Sequence, residues 1–402
     1  MINHSSVIYN AAMKKQILTA AQIGCGAFAA SQDLPNFKKN PRARLKWCCD
    51  LSPERARSMA ARFGVKNATS DFMEVIEDPE VDLIKIATSH EIHLPIIEAA
   101  AARGKHIFCE KPLALEDDHA LKIIGAVRRG KVKLCVDLNR RMSPAMQSLR
   151  ERWRAHCLKP RHQPWRYHEM EREPFPEELQ SQFLVRVQDE SSSYRIVHLD
   201  PLKGGGLIIG ETVHWLDLAC WFFAPADPVE IQAFGSRRFS HAVNLRFSDG
   251  NTAAIIFNCG GTFDYPKELI EVASHAALLR CLHFVENEYH GIPGLTREVF
   301  ALQNDPFPAA GKCGGLKGFL EKHYRRVRNS SNSRLASGAL SPDKGHRNMM
   351  DAFIRAIISG KPSPCDELAG YRATMLANMA IRSIELRQAL PVPVDKLHPC
   401  IV

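Results

Sequence analysis

Short apolar runs alternate with stretches of helical character over the first 140 residues, and this alternation narrows the fold more than any other feature of the chain. The runs are QILTAAQIG (16–24), LKWCCD (45–50), VDLIKIAT (81–88), HIFCE (106–110) and KLCVDLN (133–139). Apolar strands separated by helices are the pattern of a parallel, doubly wound sheet covered on both faces. The helices carry their own boundaries. Ser52, Pro53 and Glu54 read as an N-cap, a first-turn proline and an early acid, while Gly64 and Gly104 read as stops. Lys85 is the exception, a charge inside an apolar strand; an edge position or a snorkelling side chain accommodates it equally well.

From residue 204 the pattern changes. GGGLIIGETVHWLDLACWFF is a glycine turn followed by an apolar helix; VEIQAFGS and HAVNLRFSDGNTAAIIFN then alternate as strands, with Ser248–Asn251 as a hairpin turn. ELIEVASHAALLRCLHFV continues the sheet, and GHRNMMDAFIRAIISG and YRATMLANMAIRSIELRQ read as two amphipathic helices. A chain of 402 residues suits two cores. The expected fold class is therefore α/β: an N-terminal doubly wound parallel sheet over 16–140, joined to an α+β domain over 141–402 with a large, mostly antiparallel sheet. Residues 1–15 read as a loose arm without the apolar stretch of a secretory signal, and helices within 345–390 are expected to pack back toward the first domain.

IGCGAFAA (23–30) matches G-x-G-x-x-A with Gly24, Gly26 and Ala29. Gly24 permits a tight turn, Gly26 lets a pyrophosphate approach the backbone, and Ala29 lets the helix pack on the strand. Ala27 and Phe28 open that helix. The pattern follows an expected strand and opens an expected helix, which is the context that gives it meaning. The second strand ends in Asp50, at the spacing of a carboxylate that accepts ribose hydroxyls and repels a 2′-phosphate. Arg55, the nearest arginine, lies inside the next helix, so NAD is favoured over NADP.

Ligands of such sheets bind beyond the carboxyl ends of the strands. Glu110 and Lys111 stand at one such end, ahead of Pro112, and so face the cofactor crevice. An ammonium there is placed to hydrogen-bond a substrate hydroxyl. GETVHWLDLACW offers Glu211, His214 and Asp217 three residues apart on one helical face. A histidine suits removal of a hydroxyl proton near neutral pH, and Asp217 either orients its ring or pairs elsewhere.

EKP, the GGG…H..D segment, DLIKIATSHEIHLPIIEAAAARGKHIF, NRRMSP and the tail GHRNMMDAFIRAIISGKPSP together resemble the glucose–fructose oxidoreductase and inositol dehydrogenase family, Gfo/Idh/MocA, over about residues 16–394. The resemblance implies a Rossmann-type NAD-binding domain and an α/β domain whose open sheet mediates a homo-oligomer, dimer or tetramer. It implies hydride transfer between a nicotinamide and a secondary carbinol of a sugar, sugar derivative or cyclitol. It assigns Lys111 and His214 as catalytic, with Glu211 as a third member or a ligand of a substrate hydroxyl. It puts Thr88 and His93 at the cofactor and Asn139 and Arg141 on the nicotinamide and substrate side. The cofactor candidates are thus Gly24, Gly26, Ala27, Phe28, Asp50, Thr88, His93, Glu110, Lys111 and Asn139; the substrate candidates are Arg141, Glu211, His214 and Asp217. The sequence departs from the family at Gly210, where an aspartate is common four residues before the histidine; the carboxylate comes one residue later, as Glu211.

Composition trims the alternatives. Twelve cysteines lie in apolar runs with no metal-binding spacing, as expected of buried reduced thiols in a cytoplasmic protein. His156, His162 and His168 are irregularly spaced in and beside a 157–200 stretch that reads as an exposed loop or flap, so no metal site is expected. The net charge of +9 is partly gathered in the 321–338 run, which lacks the aromatic interleaving of a nucleic-acid surface. No apolar run is long enough to span a membrane. Two other functions use the same residues: redox-neutral glycoside cleavage through a transient keto-sugar, and nucleotide sensing without catalysis.

Overall fold

The computed structural model describes residues 16–158, 180–189, 199–261, 266–303, 314–321 and 341–399. The 1–15 arm, most of the 157–200 segment with His162 and His168, and nearly all of the 321–338 basic run lie outside the described residues.

Six strands form the first sheet: β1 (Leu18–Ile23), β2 (Ala43–Cys49), β3 (Asn67–Thr69), β4 (Leu83–Ile86), β5 (His106–Cys109) and β6 (Leu134–Val136). Their order is β3-β2-β1-β4-β5-β6 and every pairing is parallel. Helices α1 (Leu34–Lys39), α2 (Pro53–Phe63), α3 (Phe72–Glu77), α4 (His93–Ala102) and α5 (Asp117–Gly130) make the crossovers. The punctuation read from sequence operates at α2: the Ser52 hydroxyl accepts the Arg55 N–H at 3.2 Å, Pro53 takes the first turn, and Gly64 caps the end. Strands β1, β4 and β6 are buried along their whole length, the consequence of helices on both faces.

Strand β4 lies between β1 and β5, so Lys85 is neither at an edge nor snorkelling; its side chain is fully buried. The expectation of an edge or a wet ammonium is thereby replaced. A buried lysine requires paired carboxylates, and these come from strand ends and a helix turn, as described below.

The second sheet has nine strands in the order β14-β13-β12-β11-β7-β10-β9-β8-β15. They are β7 (Gln182–Gln188), β8 (Pro228–Gly235), β9 (His241–Phe247), β10 (Thr252–Asn258), β11 (Glu268–Ser274), β12 (Ala277–Leu282), β13 (Glu286–His290), β14 (Arg297–Val299) and β15 (Leu390–Pro391). All pairings are antiparallel except β7 with β10. The expected hairpin closes between β9 and β10, with the Gly250 N–H on the Phe247 carbonyl at 3.0 Å. Burial alternates along β9 and β10, so one face is covered and the other open.

The covered face carries α6 (Pro144–His156) and α7 (Val213–Phe223); later in the chain α8 (His346–Ser359) packs on β5 of the first sheet, where Phe353 meets Phe108 at 5.8 Å, and α9 (Glu367–Leu386) packs on β8 of the second. Every residue of α7 but Trp221 is buried. Phe222 and Phe223 pack against Trp153, Phe183 and Phe247 with ring centroids 4.9 to 6.1 Å apart. A helix apolar on all sides is fixed by its surroundings, which makes α7 a rigid seat for the polar residues it carries. Helix α9 ties the sheets together: Asn378 donates to Leu115 O at 3.2 Å and to Asp117 at 2.8 Å, while Ser383 Oγ accepts the Ala233 N–H at 3.0 Å. The ten described cysteines are buried. Among the described residues no helix is long and apolar enough to cross a membrane.

Candidate active site

The turn after β1 begins with Gly24 at φ +88°, and a Cβ there would collide with the Ala87 carbonyl; only glycine lets the two strand ends come so close. Gly26 has no atom within 4 Å of where its Cβ would stand, which is the space a pyrophosphate needs above the backbone. Ala27 and Phe28 are exposed at the opening of the helix, and the Phe28 ring meets His346 edge-on at 5.4 Å. Asp50, at the end of β2, accepts the Cys25 N–H at 2.8 Å and the Ser52 N–H at 2.9 Å. Arg55, which the sequence places inside the next helix, reaches back to Asp50 at 3.1 Å. The glycine cradle, the helix opening and the strand-end carboxylate fit a dinucleotide.

Strand β4 delivers Lys85 among the ends of its neighbours. Its ammonium donates to Glu110 at 2.5 Å and lies 3.4 Å from Asp33 and 3.6 Å from Asp137. Glu110 follows β5, Asp137 follows β6, and Asp33 ends a turn of π-helix over Ala29–Asp33. Burial works against the Lys85 ammonium, but the three carboxyls outweigh it and raise its pKa. Burial also pushes Glu110 and Asp33 upward. Asp137 is held below the usual range because Lys85 and His346, the latter 3.3 Å away, overcome its burial. Glu110 is thus committed to Lys85, and His93 to the neighbouring turn: its Nδ1 meets the Pro112 carbonyl at 3.0 Å, and burial lowers its pKa to about 4. Thr88 is half-buried just beyond β4 and donates to the Ser89 carbonyl at 3.2 Å.

Lys111 reaches across to the second sheet's helices. Its ammonium donates to the Gly210 carbonyl at 2.5 Å and to Glu211 Oε1 at 2.9 Å. Gly210 and Glu211 lie in a turn of π-helix, Ile208–Thr212, that runs into α7. Glu211 stands three residues before His214, where the family's common carboxylate position is four before, and its side chain still meets the lysine. Burial raises the Glu211 carboxyl, but Lys111, Lys267 and Arg140 reverse the effect and bring it down to about 2.

His214, on α7, is buried, and its Nε2 lies 2.6 Å from Arg140 Nη1. A guanidinium only donates, so Nε2 carries the lone pair and the ring proton sits on Nδ1. Nδ1 has no hydrogen-bond partner among the described residues. Burial, then Arg140 and Lys111, hold the imidazole well below its ordinary pKa. Arg140 also donates to Glu268 at 3.1 Å, and Lys344 pairs with the same carboxylate. Asn139 is buried, with its amide on the Lys344 carbonyl at 2.7 Å.

The pair Arg140–Arg141 splits around a short 3₁₀ turn, Asn139–Met142. Arg141 turns away from His214 and grips Asp217 through both Nε and Nη2. Asp217 therefore pairs elsewhere rather than orienting the His214 ring. The structure brings Lys111, Glu211 and His214 together and sets Arg141 and Asp217 apart from them. Arg140, Glu268, Lys344, Lys85, Asp33, Asp137 and His346 are additions that sequence reading missed. Two signals were available: Arg140, the first arginine of NRR, and Lys85, a lysine in a strand whose neighbours end in acids.

Sheet order, glycine cradle and strand-end aspartate define a dinucleotide-binding fold joined to an open antiparallel sheet. Residues 18–138 match the Gfo/Idh/MocA oxidoreductase family with an NAD-binding Rossmann fold. It is 40% identical over 101 residues to levoglucosan dehydrogenase of Pseudarthrobacter phenanthrenivorans, covering 25% of this chain and 26% of that protein. It is 34% identical over 116 residues to myo-inositol 2-dehydrogenase of Thermotoga maritima, covering 29% and 35%. These matches thus span well under half of the relatives' own lengths. The whole fold is shared with a levoglucosan dehydrogenase solved with NADH and L-sorbose, at a TM-score of 0.72, 17% identity and coverage of 94% of this chain and 99% of that one.

Proposed function

We propose that the protein is an NAD-dependent oxidoreductase that moves a hydride between the nicotinamide and a secondary carbinol of a sugar, sugar derivative or cyclitol. The observation that carries this reading is the contact of Lys111, from the parallel sheet, with Gly210 and Glu211 on the turn that leads to His214. It draws an ammonium and a neutral imidazole to one place between the two sheets.

NAD, when bound, supplies the hydride acceptor. The residues that would hold it are Gly24 and Gly26 at the phosphates and Asp50 at the ribose. Lys111 donates a hydrogen bond to the carbinol oxygen and stabilises its alkoxide character. Glu211 keeps that ammonium aimed. His214 Nε2 takes the hydroxyl proton once the hydroxyl replaces Arg140 as its donor. Its depressed pKa keeps it unprotonated and ready at neutral pH. The net change is carbinol to carbonyl, with a hydride leaving carbon and a proton leaving oxygen. The open face of the nine-stranded sheet, where Phe234 and Ile256 are exposed on β8 and β10, is the surface for self-association.

The reading is tested by incubating purified protein with NAD and NADP against sugars, cyclitols and glycosides, following both NADH and sugar products. NADH formation with a matching keto product supports it. NAD binding with no turnover across the panel contradicts it, and aglycone release without net NADH identifies the redox-neutral reaction instead.

A further inference from the structure

Glu268 opens β11 and is fully buried, yet it serves two full cations: Arg140 on Oε1 at 3.1 Å and Lys344 on Oε2. The His283 ring stands 3.8 Å from Oε2 as well. Lys267, next in the chain to Glu268, is paired with Asp189, and Lys111 with Glu211. Among these described residues the cations Lys111, Arg140, Lys267 and Lys344 face the carboxylates Glu211, Glu268 and Asp189, so positive charge is in excess on the His214 side. Arg140 is nine-tenths buried and its Nε has no hydrogen-bond partner among the described residues. Burying cations in excess of anions is costly unless something compensates.

We propose that the substrate carries an anionic group, a carboxylate or a phosphate on the sugar or cyclitol, and that Arg140 and Lys344 receive it beside His214. This rests on the oxidoreductase reading above and names its substrate class. Three observations converge on it. One carboxylate, Glu268, is shared by two cations in a cluster where Lys111, Arg140, Lys267 and Lys344 outnumber Glu211, Glu268 and Asp189. The Lys344 ammonium is lowered to about 8, first by burial and then, against Glu268, by Arg140 and Lys267; an added anion opposes that shift. Arg140 occupies the lone pair that His214 must use, and an anion beside the guanidinium gives it a partner to turn toward, freeing Nε2 for the hydroxyl. Binding of an acidic substrate thereby arms the base.

The test uses matched pairs on the full chain with NAD: glucose against glucuronate, and glucose against glucose 6-phosphate. NADH formation and calorimetric binding to the NADH complex are both read. The expected result is at least a tenfold higher kcat/KM or affinity for one charged member, with the carboxylate and phosphate arms telling the two groups apart. Lys344→Met should shrink that preference at least tenfold, and Lys344→Arg should restore most of it, with NADH affinity as a check on folding. Turnover of neutral sugars at rates equal to or above both charged partners overturns the anionic subsite and leaves the oxidoreductase reading standing. Absence of both turnover and binding for every pair, with NADH still bound, overturns both.

Discussion

Lys85→Met removes an ammonium from the middle of the parallel sheet while keeping a similar length and shape. The thioether takes the place beside Phe108, whose ring the ammonium covers at 4.0 Å. Asp33, Glu110 and Asp137 remain, with carboxylate oxygens within 4.8 Å of one another and, of the residues described around them, His346 beside Asp137. Removing one partner of a buried ion pair costs about 3–5 kcal/mol, because the charge left behind stays desolvated. For a protein of this size that is about 4–6 °C in apparent Tm. The sign with pH follows from the carboxyls. Burial already raises Asp33 and Glu110 with Lys85 present, and its loss raises them further. A carboxyl with a raised folded-state pKa binds protons more tightly folded than unfolded, so its contribution is present at low pH and lost as pH climbs through that pKa. The deficit of the variant should therefore be largest near pH 7.5 and smaller near pH 5. Thermal scans by circular dichroism at both pH values check this. A variant within about 2 °C of wild type at pH 7.5, or one equally impaired at both pH values, refutes the picture of an ammonium neutralising three buried carboxyls.

Asp50→Ser removes the carboxylate that holds Arg55 and leaves the guanidinium for a 2′-phosphate; the NADP-to-NAD ratio of kcat/KM should rise at least tenfold, measured with both cofactors in parallel. Glu211→Gln keeps a hydrogen-bond partner for Lys111 but removes its counter-charge, and kcat should fall about 10- to 100-fold with NADH affinity unchanged. Glu211 has a pKa near 2, so the wild-type profile should show no titration of this carboxylate between pH 5 and 9. With an anionic substrate, kcat/KM should decline above about pH 8 as Lys344 loses its proton among Glu268, Arg140, Lys267 and His283, and a neutral substrate should lack that limb. Phe234→Asp, on the open sheet face, should lower the assembly state seen by light scattering.

Much of the architecture was legible because it rests on local rules. The Gly24 turn, the Ser52 cap and the Gly250 hairpin each follow from a few neighbouring residues; the parallel sheet follows from apolar runs alternating with helices, and the antiparallel one from the period of burial along its strands. The meeting of Lys111 with Glu211 joins residues 100 positions apart, one after a strand of the parallel sheet and the other on the turn before α7, and no spacing rule announces it. The choice between Arg140 and Arg141 was equally closed to sequence: adjacent residues on a 3₁₀ turn point about 120° apart, and which one faces His214 depends on Asp217 and Glu268. Lys85 needed acids from a helix turn, β5 and β6 together, and only the strand order brings those three to one point.

The central claim is that Lys111 and His214 act on one carbinol beside the bound nicotinamide. Lys111→Met, assayed for NADH affinity and for kcat on the same preparation, tests it most directly. The account predicts an NADH Kd within about threefold of wild type and a kcat lower by about 10²–10³-fold, the loss typical of one donor at a developing oxyanion. A kcat close to wild type would contradict it.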